Sequence, residues 1–421
     1  MSYPFYVIVA KEASERPKMC ASIPKKPYLP YVIERLNAVR TQKGGEVKYS
    51  GFDYLWFSSA IETIVSLHDS IPRYAKTRIV SKSLHEPTKS GKIDAEKLKY
   101  ALKKYEDEYL NTSEGTFILK ASISVSSGLP FKKLNLDKAS FGFIPNEKLS
   151  SIPDHQLRNP PFHGTAPENY HDITVRINGK TDYEAGNIAI DRLDLIRGFW
   201  NLLLNKSYRM SFGSRQPINE ITTGPFFTLH NTDGTLSDNG VWHDPNFTVS
   251  SKLRDLTHEM GYLKKQTLRF QRYFNSSPFQ DIIRDAMLRY VRALDGINYE
   301  ETIVQLWSIL ESLTLYGEGD DAGRHADVVR RAASIYQEQQ LAAAIIDHIR
   351  VRRNEIVHRS RNFQDSEGLV YQSKSIVENL IFIYIGMFSK NFQNKAEIRT
   401  FLDLPREKKM LDLGKNFISQ S

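Results

Sequence analysis

From Ser251 to Lys390 the chain reads as helix after helix, and this run limits the fold more than any other feature. Apolar residues recur at three- and four-residue spacing. The breaks fall at turn-forming residues: Ser276-Ser277-Pro278, Asp295-Gly296, Gly317 to Gly323, and Gly368. They leave six segments, roughly 251–274, 278–295, 299–316, 322–337, 338–359 and 370–390. The third puts Ile303, Leu306, Trp307, Leu310 and Leu313 on one stripe. The last carries Ile376, Val377, Leu380, Ile381, Ile383, Tyr384, Met387 and Phe388 nearly all round its axis. Such a helix is expected inside a bundle or a subunit interface.

Residues 1–250 have mixed character. Strands are expected at Phe5–Ala10, Thr116–Val125 and Ile173–Ile177, and helices at Tyr54–His68, Ile93–Tyr109 with Asp94 as N-cap, and Ile188–Leu204. Lys148–Pro167, rich in Pro, Asn and His, reads as loop. The stretch 205–250 has turn signals at Gly224-Pro225, Asp233-Gly234 and Asn239-Gly240 among aromatic residues, so it reads as an ordered segment rather than a linker. The expected fold class is α+β. A mixed α/β domain (1–250) precedes an all-α helical bundle (251–395), and a charged tail (396–421) follows.

A chain of 421 residues suits two domains, and 40% apolar with 25% charged residues is ordinary globular composition. Cys20 is the only cysteine, which excludes a disulfide framework and a cysteine zinc site and fits a cytoplasmic location. No basic residue precedes the short apolar run in Met1–Ala10, so no secretory signal is expected. Ile376–Phe388 is too short to span a bilayer, so no membrane partner is expected. The net charge of +8 suits an anionic partner such as RNA. Lys97, Lys99, Lys103 and Lys104 stand among Glu96, Glu106, Asp107 and Glu108, as on a solvated helix face.

Within the helical run stands Arg353-Asn354-Glu355-Ile356-Val357-His358. An arginine is a permanent planar cation that can hold a phosphodiester, and an imidazole moves protons near neutral pH. Spacing alone does not single this pair out. Arg158 to His163 fits it too, but contains Pro160-Pro161, which forbids a regular helix. Arg78 to His85 fits a longer spacing in a Ser-rich segment that reads as loop. Only Arg353 and His358 end a long helix.

The late position of this motif in a helical run of about 140 residues resembles the HEPN superfamily, in particular the domain at the C-terminus of ApeA-like abortive-infection proteins. The matching residues are Arg353, Asn354 and His358, with Glu311 as the acid that the resemblance places on an earlier helix. The N-terminal half resembles no family. The resemblance implies a metal-independent endoribonuclease without cofactor, a homodimer through the helical domain, and a role as bacterial toxin or antiphage effector. A phage-derived or nucleotide trigger is open.

Metal-free RNA cleavage uses the 2′-hydroxyl as internal nucleophile. His358 would move a proton, Arg353 would hold the charged transition state, and Asn354 would bond the phosphate or fix the imidazole tautomer. The products would be a 2′,3′-cyclic phosphate and a 5′-hydroxyl. Arg350, Arg352, Arg359 and Arg324 are candidate RNA contacts, with His325, Arg330 and Arg331 on the same path. Five residues turn a helix by about 140°, so Arg353 and His358 do not converge on one helix. Ile345, Ile349 and Ile356 are the expected core stripe, with Arg353 between the faces. Two rival readings remain. One is a non-catalytic scaffold that binds nucleotide or RNA. The other is a metal hydrolase in the N-terminal half, built on His230, His243 and Asp244.

Overall fold

The computed structural model describes residues 21–23, 26–51, 53–144, 148–152, 167, 169–209, 215–244, 247, 253–315, 325–359 and 366–404. The fold is α+β. Two compact units divide at Gly115/Thr116. The expected strand at Phe5–Ala10 and the pair Arg158/His163 lie outside the described residues.

The first unit packs α1 (Leu29–Val39), α2 (Asp53–Ile64), α3 (Arg73–Leu84) and α4 (Ala95–Asn111) with a hairpin of β1 (Arg40–Lys43) and β2 (Glu46–Tyr49). Its core holds Leu36, Ile61, Leu84, Leu98 and Leu102. Asp94 caps α4 as expected, accepting from the Lys97 amide at 2.9 Å. On the same helix the buried Glu106 carboxylate accepts from the backbone amides of Ala21 and His68, both at 2.7 Å, so one acid satisfies two remote donors. Arg78 to His85 is not loop. It forms the second half of α3, and His85 packs edge-on against Tyr49 and Tyr54. The tertiary contact overrides a sequence with little helical pattern of its own.

The second unit holds a six-stranded sheet in the order β5-β6-β7-β3-β8-β9, with β3 Gly115–Ile123, β5 Lys133–Leu136, β6 Ala139–Gly142, β7 His171–Gly179, β8 Phe226–Asn231 and β9 Leu236–His243. The Asp233-Gly234 turn closes the β8–β9 hairpin, where Gly234 takes φ +87°. A short parallel pair joins β4 (Val125–Ser127) to β10 (Arg254–Asp255). Beside it Gly128 has φ +77°, and a Cβ there would lie 2.1 Å from the Thr257 amide nitrogen.

Helix α5 (Asp182–Leu204) joins the sheet to the helices. It begins at Asp182 rather than Ile188. The Thr181 hydroxyl accepts from the Glu184 amide at 3.2 Å and starts the helix early, while Gly186 makes room for the Trp242 ring of β9. Then come α6 (Met260–Ser276), α7 (Gln280–Asp295), α8 (Tyr299–Thr314), α9 (His325–Ala333), α10 (Gln339–Arg359), α11 (Ser366–Ile383) and α12 (Lys395–Asp403). Phe199 of α5 stacks on Phe270 of α6 with centroids 4.3 Å apart, and Trp200 Nε1 donates to Thr267 Oγ1 at 3.0 Å. Leu119, Val175, Leu195, Trp307 and Leu380 belong to one continuous core. Sheet and bundle are therefore one packed body, with no break near residue 250.

The later helices follow their expected segments, but the first begins at Met260 rather than 251, because Arg254–Asp255 pair as β10; α11 buries Leu369, Val370, Ile376, Val377, Leu380 and Ile381. Its end continues as a wider π-helical turn over Tyr384–Phe388, where the Ser389 hydroxyl donates to the Tyr384 carbonyl at 2.6 Å. The start of the expected charged tail forms helix α12, capped by Asn394 and seated through Ile398 and Leu402.

Candidate functional site

The candidate site is carried by α10. Ala342, Ala343 and Ala344 favour helix, and Ile346 and Ile349 bury completely to fix which face looks inward. The inward stripe therefore runs through Ile346 rather than Ile345, which is 37% exposed. This moves Arg353 from between the faces to the inner side. It follows Ile346 by seven residues, about 20° off the same line. The guanidinium is half-buried accordingly. Its Nη1 donates to Asn354 Oδ1 at 3.1 Å, and its Nε is buried without an acceptor among the described residues.

His358 is exposed and stands about 140° from Arg353 around the axis, and roughly 7.5 Å along it. Arg353 and Asn354 are thus in contact, whereas His358 is not brought to them. Arg350 and Arg352 lie on the same helix, each beside a carboxylate: Arg350 Nε meets Asp347 at 2.7 Å and Arg352 Nη1 meets Glu355 at 3.2 Å. Their pull on a polyanion is correspondingly reduced. Arg324 and the Arg359 side chain lie outside the described residues.

Glu311 sits near the end of α8, and its Oε1 is shared. The buried indole of Trp307 donates to it at 2.7 Å, and His325 Nδ1 on α9 lies 3.4 Å away. The Trp307–Glu311 spacing of four residues puts indole and carboxylate on one helix face, a signal the sequence does contain. That His325 completes the group is visible only in the fold. Helices α8, α9 and α10 pack on one another in pairs.

Arg331 does not line an RNA path. It is 2% exposed and donates to Asp403 of α12 at 2.7 and 3.1 Å and to the Thr314 carbonyl at 2.9 Å. Arg330 reaches the same carboxylate at 2.8 Å. His230 is fully buried in β8, with Nε2 against Thr228 Oγ1 at 2.9 Å and Nδ1 facing the Gly234 carbonyl at 3.3 Å. Both its nitrogens are occupied inside the hairpin, which removes it from the rival metal constellation with His243 and Asp244.

A cleft of about 760 Å³ lies where α5 meets the turn between α7 and α8. Its walls include Asp194, Arg197, Arg292 and Asp295. These groups neutralise one another: Arg197 contacts Asp194 at 2.6 Å and Asp295 at 2.8 Å, and Arg292 contacts Asp194 at 2.7 Å. Burial pushes the Asp295 carboxyl up, against the pull of Arg197 and a hydrogen bond from Asn219. The network joins α5 to α7 as a structural ion cluster.

No described helix is long and apolar enough to cross a membrane. No protein-family model matches the chain, and no curated protein or solved structure matches it either.

Proposed function

We propose that the protein is a metal-independent endoribonuclease whose site is carried by α10 and completed by a second copy of the chain. The observation that carries this reading is the half-buried Arg353, fixed by Asn354 and with an Nε donor that has no acceptor among the described residues, on the helix that also presents an exposed His358. A buried donor without an acceptor is costly, and an anion supplies one. Because His358 points away from Arg353, the imidazole that meets a given Arg353 comes from a second copy. The exposed apolar side chains Leu341 and Ile345, one turn apart on α10, support such a pairing. The net charge of +8 favours approach of RNA.

In this reading Arg353 holds the phosphodiester, Asn354 keeps the guanidinium oriented, and His358 protonates the leaving 5′-oxygen. The chain needs no cofactor for this. The test uses purified full-length protein on total bacterial RNA and on single-stranded DNA. Wild type should cut RNA with EDTA present, leave DNA intact, and yield 2′,3′-cyclic phosphate ends. Arg353→Ala and His358→Ala should each lower the rate by at least about 100-fold. Cleavage that EDTA stops, or a His358→Ala protein that cuts at full rate, would refute the assignment.

A further inference from the structure

Cutting RNA through its 2′-hydroxyl takes two proton transfers, one from the nucleophile and one to the leaving oxygen. His358 can serve one of them. Among the described residues His325 is a further imidazole on the helices that pack against α10. His325 opens α9, and its side chain is 30% exposed. Its Nδ1 faces Glu311 Oε1 at 3.4 Å, and the same oxygen is fixed at 2.7 Å by the indole N–H of Trp307, which is fully buried. A carboxylate locked by a rigid buried donor and facing Nδ1 favours the tautomer that leaves Nε2 as the basic nitrogen. Among the described residues no carboxylate lies at such a distance from His358.

Position on the helices supports the pairing of His325 with Arg353. A short connection (334–338) joins α9 to α10, and the two helices pack together as a hairpin. At 1.5 Å per residue His325 lies about 12 Å up from that connection and Arg353 about 21 Å. Helical side chains lean toward the N-terminus, so a long arginine on α10 reaches back toward the level of His325. Arg353 also lies on the inner face of α10, the side turned to α8 and α9, whereas His358 does not.

We propose that His325 is a second catalytic residue of this site, acting as the general base, with Glu311 as its positioning residue. This rests on the ribonuclease reading above. Nε2 of His325 takes the proton of the 2′-hydroxyl as the 2′-oxygen bonds to phosphorus. The bond from phosphorus to the 5′-oxygen breaks, and that oxygen takes a proton from the His358 imidazolium of the second copy. One imidazole gains a proton and the other loses one, so charge balances. Solvent exchange resets both. Glu311 therefore acts through His325 rather than on the phosphate.

The experiment compares full-length wild type, His358→Ala, His325→Ala, Glu311→Gln and Trp307→Phe on the same RNA, with melting temperature and RNA binding measured alongside. His325→Ala should cut at least about 100-fold more slowly, bind RNA as before, melt as before, and regain rate when imidazole is added to the buffer. Glu311→Gln should keep KM, lower kcat, and move the limb of the pH–rate profile that reports the base. Trp307→Phe should do the same more weakly. If wild type cuts and His358→Ala does not, but His325→Ala cuts at full rate, the base assignment is overturned while the ribonuclease reading stands. Slow cutting by His325→Ala that imidazole does not restore also overturns it, because the role is then structural. If wild type does not cut RNA at all, both fall.

Discussion

Arg331 and Asp403 form a two-pronged ion pair, at 2.7 and 3.1 Å, that pins the last described helix to the bundle. The arginine is 2% exposed, so its partner cannot be removed without stranding a buried charge. Asp403→Ala should destabilise the protein by about 3–5 kcal/mol in urea unfolding. Burial works against ionisation of Asp403, yet hydrogen bonds from Arg331 and Arg330 outweigh it and hold the carboxyl below its ordinary value. A carboxyl with a lowered folded-state pKa contributes stability above its unfolded value, near 4, and loses it as pH falls through the folded value. Stability should therefore drop below about pH 4 in wild type, and less in Asp403→Ala. An unchanged urea midpoint in the variant would show that the pair contributes nothing.

Gly128→Ala should be among the most damaging single-methyl changes in the chain. The residue needs φ +77°, and its Cβ would meet the Thr257 amide nitrogen at 2.1 Å and the Leu256 carbonyl carbon at 2.3 Å. Both neighbours are backbone, so the β4–β10 pairing must move. A loss of about 2–4 kcal/mol is expected from strain and overpacking together. Gly261→Ala is the control, since nothing lies within 4 Å of the Cβ position there. Thermal melting of the two variants checks the contrast.

Lys374 is fully buried, with its ammonium 3.0 Å from Glu378 Oε1. Tyr290 donates to the same carboxylate and accepts from Asn205 at 3.0 Å. Lys374→Met removes one charge and leaves the other inside the bundle. It should cost about 3–5 kcal/mol, whereas Lys374→Met with Glu378→Leu should recover much of that. Equal stability of the single and double variants would contradict the pairing.

His358→Ala and Arg353→Ala should differ in stability although both abolish cutting. His358 is exposed, so its loss should stay within about 0.5 kcal/mol. Arg353 buries part of its side chain against the bundle, so its alanine variant should lose about 1–2 kcal/mol. Circular dichroism melts separate the two.

Assembly gives the last prediction. The chain should sediment as a dimer, and Leu341→Asp with Ile345→Asp should make it a monomer that melts normally and no longer cuts RNA. A wild-type monomer that cuts at full rate would end the two-copy site.

How far the sequence reaches is clearest on α8 and α10. The stripe of Ile303, Leu306, Trp307, Leu310 and Leu313 has one phase, and all five residues are buried as it predicts. Helix α10 carries Ile345 and Ile346 side by side, and neighbours differ by about 100°. Either could face inward; the packing partners choose Ile346, and that choice turns Arg353 toward the core. Helix α12 is short and charged, so its pattern is weak. Its place depends on Arg331, which is distant in sequence. The Trp307–Glu311 pair is local and readable, but its third member lies on another helix. Candidate residues were legible, and their grouping was not.

The shared core of sheet and bundle sets a limit on dissection. Phe270 rests on Phe199, Thr267 accepts from Trp200, and the Ile218 amide donates to the Leu294 carbonyl at 2.9 Å. A fragment beginning at 251 would start life with the apolar face that Phe199 and Trp200 cover turned to water. Inactivity of such a fragment would report a damaged core rather than a missing catalytic residue. The compact unit that holds all of these contacts begins at Thr116, so control of the candidate nuclease is better sought by point changes than by scissors.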